Sequence, residues 1–408
     1  MGTMSTKSKL FVLTCSLALV VVMALGSLGV RASGSGEGPY PQLQVYSEVL
    51  SRVEREYVDE PNIPQVTNGA LHGLLEALDS SSSYLSPAEY KEFKARSGQK
   101  SGGIGAAVSK RFGYAAVVSV LPGGAAEKSG IQNYDIIEAI EGKSTHEMSP
   151  VEINSLLAGE PGSTVTVSVV RARKAAPQKI VITRDVVSNP AASSKVVEAG
   201  VGYVKVDWFT KGKSVEIANL VRGLQKSGAT KLILDLRNSA DGDAAEGIAT
   251  ANLFLDHGTI TYLQGQKYPK EAFTANPEKA ITNLPVIVLV NRGTAGPAEI
   301  VAAAILENAR GDVLGDKTFG VGSVQKMIPL QDNSALNLTI AKYYSPQGKA
   351  IQDSAVTPNI LVAGEEEVTL PEDEDGATPA ADQEPKKAPQ DEQLKKAIEV
   401  VKTRQTKA

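Results

Sequence analysis

Three nearly continuous apolar runs, at 201–209, 231–236 and 285–290, constrain this chain more than any other feature. Segments with helical spacing, such as 214–226 and 244–255, separate them. A strand exposed on one face alternates apolar and polar residues, whereas a strand buried on both faces need not. Runs of this kind therefore call for a sheet with helices packed around it. The helical pattern resumes at 295–308, and 335–344 alternates as a strand would. The second half of the chain thus predicts an α/β core sheet flanked by helices.

At 408 residues the chain has room for two or three domains. Upstream of the core, 102–187 carries shorter β-type runs at 114–120, 135–140, 164–171 and 179–187. Two helical stretches interrupt them: one runs from Ala125 to a glycine stop at Gly130, the other covers 150–157. Before that, 42–96 reads as two or three helices. Val45, Val49, Val53 and Tyr57 recur every fourth residue, and Leu71, Leu74, Leu75 and Leu78 form a second apolar face. No internal repeat is present.

Composition removes several function classes. The net charge of -4, from 42 basic and 46 acidic residues, gives no basic bulk for nucleic acid. Cys15, the single cysteine, lies in an N-terminal apolar run, so neither a disulfide framework nor a cysteine metal site is expected. His72, His146 and His257 fall in different modules without ligand spacing, and Gly320 and Gly322 lack the lysine and hydroxyl of a phosphate loop. No metal or other cofactor is expected. Lys7 and Lys9 precede the apolar run 10–30, and Val30-Arg31-Ala32 has the spacing of a signal-peptidase site. The run is also long enough to cross a bilayer core of about 30 Å, so a cleaved export signal and a retained anchor both fit. Cys15 does not read as a lipidation site, because Val12-Leu13-Thr14 lacks the small residue expected just before it.

Two constellations could carry chemistry. The first is Gly103-Ile104-Gly105, where glycines let backbone N–H groups converge on an anion beside a strand edge. Alone it is a weak signal and reads more readily as a tight loop needing positive φ. It is followed by Pro122-Gly123-Gly124-Ala125-Ala126-Glu127-Lys128-Ser129-Gly130-Ile131, then Asp135-Ile136-Ile137 and Ile140-Glu141-Gly142. This string resembles a PDZ domain of the bacterial protease type. The resemblance implies that Gly103, Ile104 and Gly105 bind the C-terminal carboxylate of a peptide, with an apolar pocket beyond.

The second is Asn291-Arg292-Gly293-Thr294-Ala295-Gly296-Pro297-Ala298-Glu299-Ile300, joined to Thr318-Phe319-Gly320-Val321-Gly322-Ser323-Val324-Gln325. A strand that ends in a glycine-rich turn opening a helix is where nucleophiles and anions are placed. With Tyr343-Tyr344-Ser345-Pro346 and Gly348-Lys349-Ala350-Ile351, these segments are similar to the core of the C-terminal processing peptidases, or tail-specific proteases. The likeness extends to Tyr57-Val58, Leu78-Asp79, Ser83-Tyr84-Leu85, Asp235-Leu236-Arg237-Asn238 and Asp391-Glu392-Gln393-Leu394. That family uses a serine nucleophile with a neutral lysine as base. The resemblance puts the serine at Gly296 and the lysine at Val321, where neither role can be filled, while the supporting glutamine is kept as Gln325. Where the family has Asn-Pro-Gly-Gly, a turn that helps hold the oxyanion, this chain has Ser239-Ala240-Asp241-Gly242, with Asp241 and Gly242 in the oxyanion region. A carboxylate there opposes a developing negative charge.

The expected architecture is a multidomain α/β (α+β) protein. It comprises a signal peptide or membrane anchor (1–32), a Gly/Ser linker (33–41), an N-terminal helical region (42–100), a PDZ domain (101–187) and a peptidase-type core (188–363). A disordered acidic linker (364–390) and a C-terminal helix (391–408) complete it. The expected function is that of an exported pseudoprotease of the periplasm or cell envelope, held to the membrane if its leader is uncleaved. It would bind the C-terminal tails of envelope proteins as an adaptor or as regulator of an active relative. Two alternatives stand beside it. One is an active serine peptidase with a displaced dyad, from Thr294, Lys317, Ser323 or Lys326; the other is a structural or ligand-binding envelope protein reusing the cleft.

Overall fold

A computed structural model describes residues 40–96, 102–111, 113–171, 174–352, 354–364 and 391–404. The expected leader at 1–32, linker residues 33–39 and nearly all of the acidic linker, from 365 to 390, lie outside the described residues. The chain divides into two compact units at Thr67/Asn68. In the first, α1 (Tyr40–Glu56) is followed by the start of α2 (Ile63–Glu76). Arg52 on α1 pairs with Glu48 and Glu56 one turn away, while Val45, Val49 and Tyr57 remain exposed.

Among the described residues, the second unit contains three sheets. After α2 come β1 (Ser83–Leu85) and α3 (Pro87–Arg96). Of the apolar face expected at 71–78, Leu75 is buried whereas Leu74 and Leu78 are exposed. The next module holds β2 (Ala106–Arg111), β3 (Tyr114–Val120), the short α4 (Ala125–Lys128), β4 (Ile136–Ile140), β5 (Lys143–Ser144), α5 (Pro150–Leu157), β6 (Thr164–Arg171) and β7 (Lys174–Thr183). Its sheet runs β2-β3-β4-β6-β7, with β5 paired to β4. Ser149 starts α5 as its N-cap, accepting from Glu152 N at 3.1 Å, and Pro150 occupies the first turn, where its missing N–H costs nothing. The expected strand at 179–187 ends at Thr183. Beyond it Asp185 leaves the ladder and exchanges backbone bonds with Gly103.

The core opens with β8 (Ser193–Glu198), β9 (Val201–Lys205), α6 (Lys213–Lys226), β10 (Lys231–Asp235) and α7 (Ala244–Asn252). Then follow β11 (Thr259–Gln264), β12 (Glu271–Thr274), β13 (Val286–Val290), α8 (Pro297–Glu307), β14 (Asp312–Gly315), β15 (Ser323–Pro329), β16 (Ala335–Tyr344), β17 (Ile360–Leu361) and α9 (Glu392–Thr403). The main sheet has the order β17-β14-β13-β10-β9-β8, parallel except for β8. Alternate residues of one strand serve opposite cores, which explains the continuous apolar runs. Val286, Val288 and Val290 pack with Ile217, Ala251 and Val301 of α6, α7 and α8, whereas Ile287 and Leu289 pack with Ala397 and Val401 of α9. All five side chains of β13 are fully buried, each contributing roughly 1.5–3 kcal/mol.

The run at 201–209 is strand only as far as Lys205. Val206, Trp208 and Phe209 are buried without being in the ladder, and Phe209 instead forms an isolated parallel bridge with Gly242. A second sheet, β1-β16-β11-β12 with β15 also on β16, brings a strand of the N-terminal region into the core: Ser83 pairs with Asn337 and Leu85 with Ala335. The N-terminal region is therefore not helical throughout. Because β9, β10, β13 and β14 are parallel, the loops after them gather at one end of the sheet, where open α/β sheets place their sites.

Candidate functional site

The first candidate site is the head of the β2 module. Gly103 N donates to Asp185 O at 2.9 Å and Gly103 O accepts from Asp185 N at 3.0 Å, while Gly102 is paired in the same way with Gly159. Gly103 is thus committed to the scaffold. The carbonyls of Ile104 and Gly105 accept from Ala126 N and Leu121 N. Among the described residues, the N–H groups of Ile104 and Gly105 donate to no protein acceptor. Gly105 has φ of 70°, a conformation that favours glycine. The Ile104 side chain is buried with Ile153 and Leu157 of α5, and Ala106, Val108 and Leu156 pack against that cluster. β2 is the end strand of its sheet and packs against α5. Two free N–H groups, an open strand edge and an apolar floor therefore lie together.

The second site forms where β13 turns into α8. Asn291 and Asn238 clamp the turn: Asn238 N donates to Asn291 Oδ1 and Asn291 Nδ2 to Asn238 Oδ1, both at 2.9 Å. Thr294 is fully buried, its hydroxyl donating to Leu236 O and accepting from Asn291 N. Ala295 N donates to Ser239 O at 2.8 Å, which sets the turn 239–242 beside residue 296. Gly296 itself has φ 60° and ψ −121°, and a side-chain carbon built on it would meet no heavy atom within 4 Å. This is a strained strand-to-helix turn aimed at open space, the arrangement that presents a nucleophile in other hydrolases.

Glu299 organises the site, and its role was not read from the sequence. One carboxylate oxygen, Oε2, accepts from Gly296 N at 3.0 Å and from Val321 N at 2.8 Å. Oε1 accepts from Gly320 N at 2.9 Å and from the Thr318 hydroxyl. The two positions that carry the family's serine and lysine by resemblance thus share one buried acceptor. Burial pushes the Glu299 carboxyl up to about 7, against four donors that favour its ionised form. The spacing from position 296 to 299 is that of a capping box, the signal that could have revealed it.

Gln325 lies on β15, its Nε2 donating to Ser323 Oγ at 2.7 Å. Lys317 and Lys326 are exposed. On the turn, Gly242 N donates to Asp241 Oδ1 at 2.7 Å, so the carboxylate occupies that donor. Gly242 has φ of 128°, and a side-chain carbon there would come within 2.3 Å of Phe209 O. Behind the turn, Asp235 is buried and accepts from Tyr203 Oη at 2.7 Å and from Arg237 Nη2 at 2.6 Å. Burial alone would raise the Asp235 carboxyl, but Lys205 and Arg237 hold it below its usual range. Arg237 also grips both oxygens of Asp391, the N-cap of α9, at 2.8 Å each.

The model of Peptidase family S41 matches residues 200–362, and that of the PDZ domain matches 117–171. A carboxy-terminal-processing protease of Bartonella bacilliformis is 32% identical over 341 residues, spanning 82% of this chain and 77% of its own. The chain belongs to the carboxy-terminal-processing protease family. The carboxy-terminal processing protease CtpA of Bacillus subtilis is 30% identical over 351 residues, spanning 86% of this chain and 74% of its own. Among solved structures, a photosystem II D1 C-terminal processing protease superposes with a TM-score of 0.65 at 25% identity, over 79% of this chain and 93% of that one. A PDZ domain and a peptidase core are thus both present in this chain.

Proposed function

We propose that this family member is an exported, catalytically silent protease that captures protein C-termini through its PDZ module, as an adaptor or as regulator of an active relative. One observation carries the reading: the turn that presents residue 296 keeps a nucleophile-type backbone, yet holds a residue without a side chain. In another serine protease, loss of the nucleophile alone lowers turnover on the order of 10⁶-fold, roughly 8 kcal/mol of barrier. Val321 removes the base as well. A displaced dyad finds little support, because the Thr294 hydroxyl is buried and engaged, and Lys317 and Lys326 point to solvent.

Tail capture would use the Ile104 and Gly105 N–H groups for the carboxylate and the β2 edge for the peptide backbone, with alternate side chains on the apolar floor. Gly103 would hold the loop rather than the ligand. The apolar run at 10–30, acting as a leader, would send the protein to the periplasm or an equivalent compartment, and would tether it if uncleaved. The test is to incubate the exported portion with an unfolded substrate ending in apolar residues. Binding without fragments is expected, with affinity lost when the substrate's C-terminus is amidated. Time-dependent fragments would mean the chain is a protease after all, and their loss in Ser323→Ala would put the nucleophile at residue 323. Gly296→Ser with Val321→Lys then asks whether the scaffold still supports the chemistry.

A further inference from the structure

Three Asn-Gly or Asp-Gly pairs occur in the chain, at 68–69, 241–242 and 375–376. In such a pair the glycine amide has no Cβ beside it as a shield, so its nitrogen can reach the side-chain carbonyl carbon of the residue before it. The pair at 375–376 lies outside the described residues. Asn68 and Gly69 are within α2, where each amide is turned toward the carbonyl four residues back. Asp241 and Gly242 instead lie in an exposed turn, and the Gly242 N–H is aimed at the neighbouring carboxyl, 2.7 Å from Asp241 Oδ1.

The surroundings hold that approach. Phe209 N donates to Asp241 O and Asp243 N to Phe209 O, both at 2.8 Å, which brackets the pair on both sides. An amide that gives up its N–H carries the negative charge largely on its carbonyl oxygen. For the amide between Asp241 and Gly242 that oxygen is the one the Phe209 N–H already binds, so the donor favours the ionised amide. The lone pair left on Gly242 N lies along the former N–H direction, toward the carboxyl group. Groups fixed in this way escape much of the entropy cost of meeting.

We propose that Asp241-Gly242 is a self-modification site, at which the chain converts its own aspartyl bond into an isoaspartyl one and releases the turn 239–242 from Phe209. Gly242 N bonds to Cγ of Asp241 in its acid form. The Cγ hydroxyl leaves with the amide proton as one molecule of water, closing a five-membered imide. Water then adds to one of the two imide carbonyls. Opening at Cγ restores aspartate; opening at the former main-chain carbonyl leaves the chain running through Cβ and Cγ, with a free carboxylate on Cα. One water leaves and one returns, and nothing is oxidised or reduced. The isoaspartyl chain is longer by one carbon at a place without slack, since a side-chain carbon on Gly242 would come within 2.3 Å of Phe209 O. Asp243, which caps α7 by accepting from Ala245 N at 2.9 Å, and Ser239, whose carbonyl holds Ala295 N, flank the change. The mark therefore falls on the turn beside residue 296.

The full chain, held at neutral pH in water enriched in heavy oxygen, tests this, with a synthetic peptide of residues 236–247 as reference. Every passage through the imide leaves a heavy oxygen at residue 241, and electron-transfer fragmentation separates isoaspartate from aspartate. The folded chain should take up label at 241 about tenfold faster than the peptide, a barrier lower by about 1.4 kcal/mol. Asp241→Asn forms the same imide with loss of ammonia, and should convert at 241 at least about tenfold faster than at Asn68 of the same molecules. Label entering no faster than in the peptide, or conversion that comes first at Asn68, overturns the site. In the isoaspartyl fraction, hydrogen exchange at Gly242 and Asp243 should rise by about tenfold or more. Unchanged exchange there overturns release of the turn.

Discussion

Replacing Gly296 with alanine should destabilise the protein even though the added methyl has room. The backbone there has φ 60° and ψ −121°, well away from the left-handed helical basin near ψ +47° that some side chains tolerate. Holding a residue with a side chain in such a conformation costs about 1–3 kcal/mol. No heavy atom lies within 4 Å of the new carbon, so steric overlap adds nothing. Alanine also restricts the unfolded chain, which offsets roughly 0.4–1 kcal/mol. The net loss is about 1–2 kcal/mol, or a melting temperature lower by roughly 2–8 °C for a cooperative unit of this size. Gly73 is the internal control: it lies within α2 with equally open surroundings, and Gly73→Ala should stabilise by about 0.5–1 kcal/mol. Thermal melts of both variants by circular dichroism should therefore shift in opposite directions. If Gly296→Ala melts at or above wild type, the turn relaxes freely, and the claim that the fold holds residue 296 in a nucleophile-type conformation fails.

Glu299 predicts a pH dependence. Its carboxyl sits at about 7 in the folded protein against 4.5 when unperturbed, so the folded state holds an extra proton between those values. Stability should fall as pH rises through that window, by up to about 3 kcal/mol. Urea midpoints at pH 5 and pH 8 check it: wild type should lose more than Glu299→Gln, and equal losses would count against a buried, titrating Glu299. Arg237→Leu should cost about 3 kcal/mol, because it strips the buried Asp235 of its bidentate partner while leaving Lys205 and Tyr203. It should also free α9 through Asp391, read as faster proteolysis within 391–404, and Arg237→Lys should not rescue it because one ammonium cannot bridge both carboxylates.

The parallel core was legible because its strands carry apolar residues for two helical layers at once, a pattern no half-exposed strand needs. The same signal overran at 206–209, since Val206, Trp208 and Phe209 are buried in a loop, and burial rather than pairing is what an apolar run reports. β1 and β2 left little trace. Ser83-Tyr84-Leu85 is too short for a period, and β2 begins Ala106-Ala107, poor strand formers held by pairing to β3. At the groove, three consecutive residues read as equivalent donors. Long-range pairing divides them, because Asp185, far along the chain, takes the Gly103 N–H. At the cleft, the resemblance singled out positions 296 and 321, but the single carboxylate that joins their amides depends on a loop and a helix start brought together only by folding.

That carboxylate also shows how the turn at 296 and the loop at 318–321 are held independently of the side chains at 296 and 321. Glu299 holds the turn and the loop through the backbone amides of Gly296, Gly320 and Val321 and the hydroxyl of Thr318, not through the side chains at 296 or 321. Those two side chains can therefore be lost while the network that shapes the site keeps every partner. Nothing in the stability of the core selects for a serine at 296; strain at φ 60° favours glycine there. An intact elbow is thus evidence about folding rather than about cutting. The adjoining turn is likewise held from within, because Asp241 accepts the Gly242 N–H with its own carboxylate.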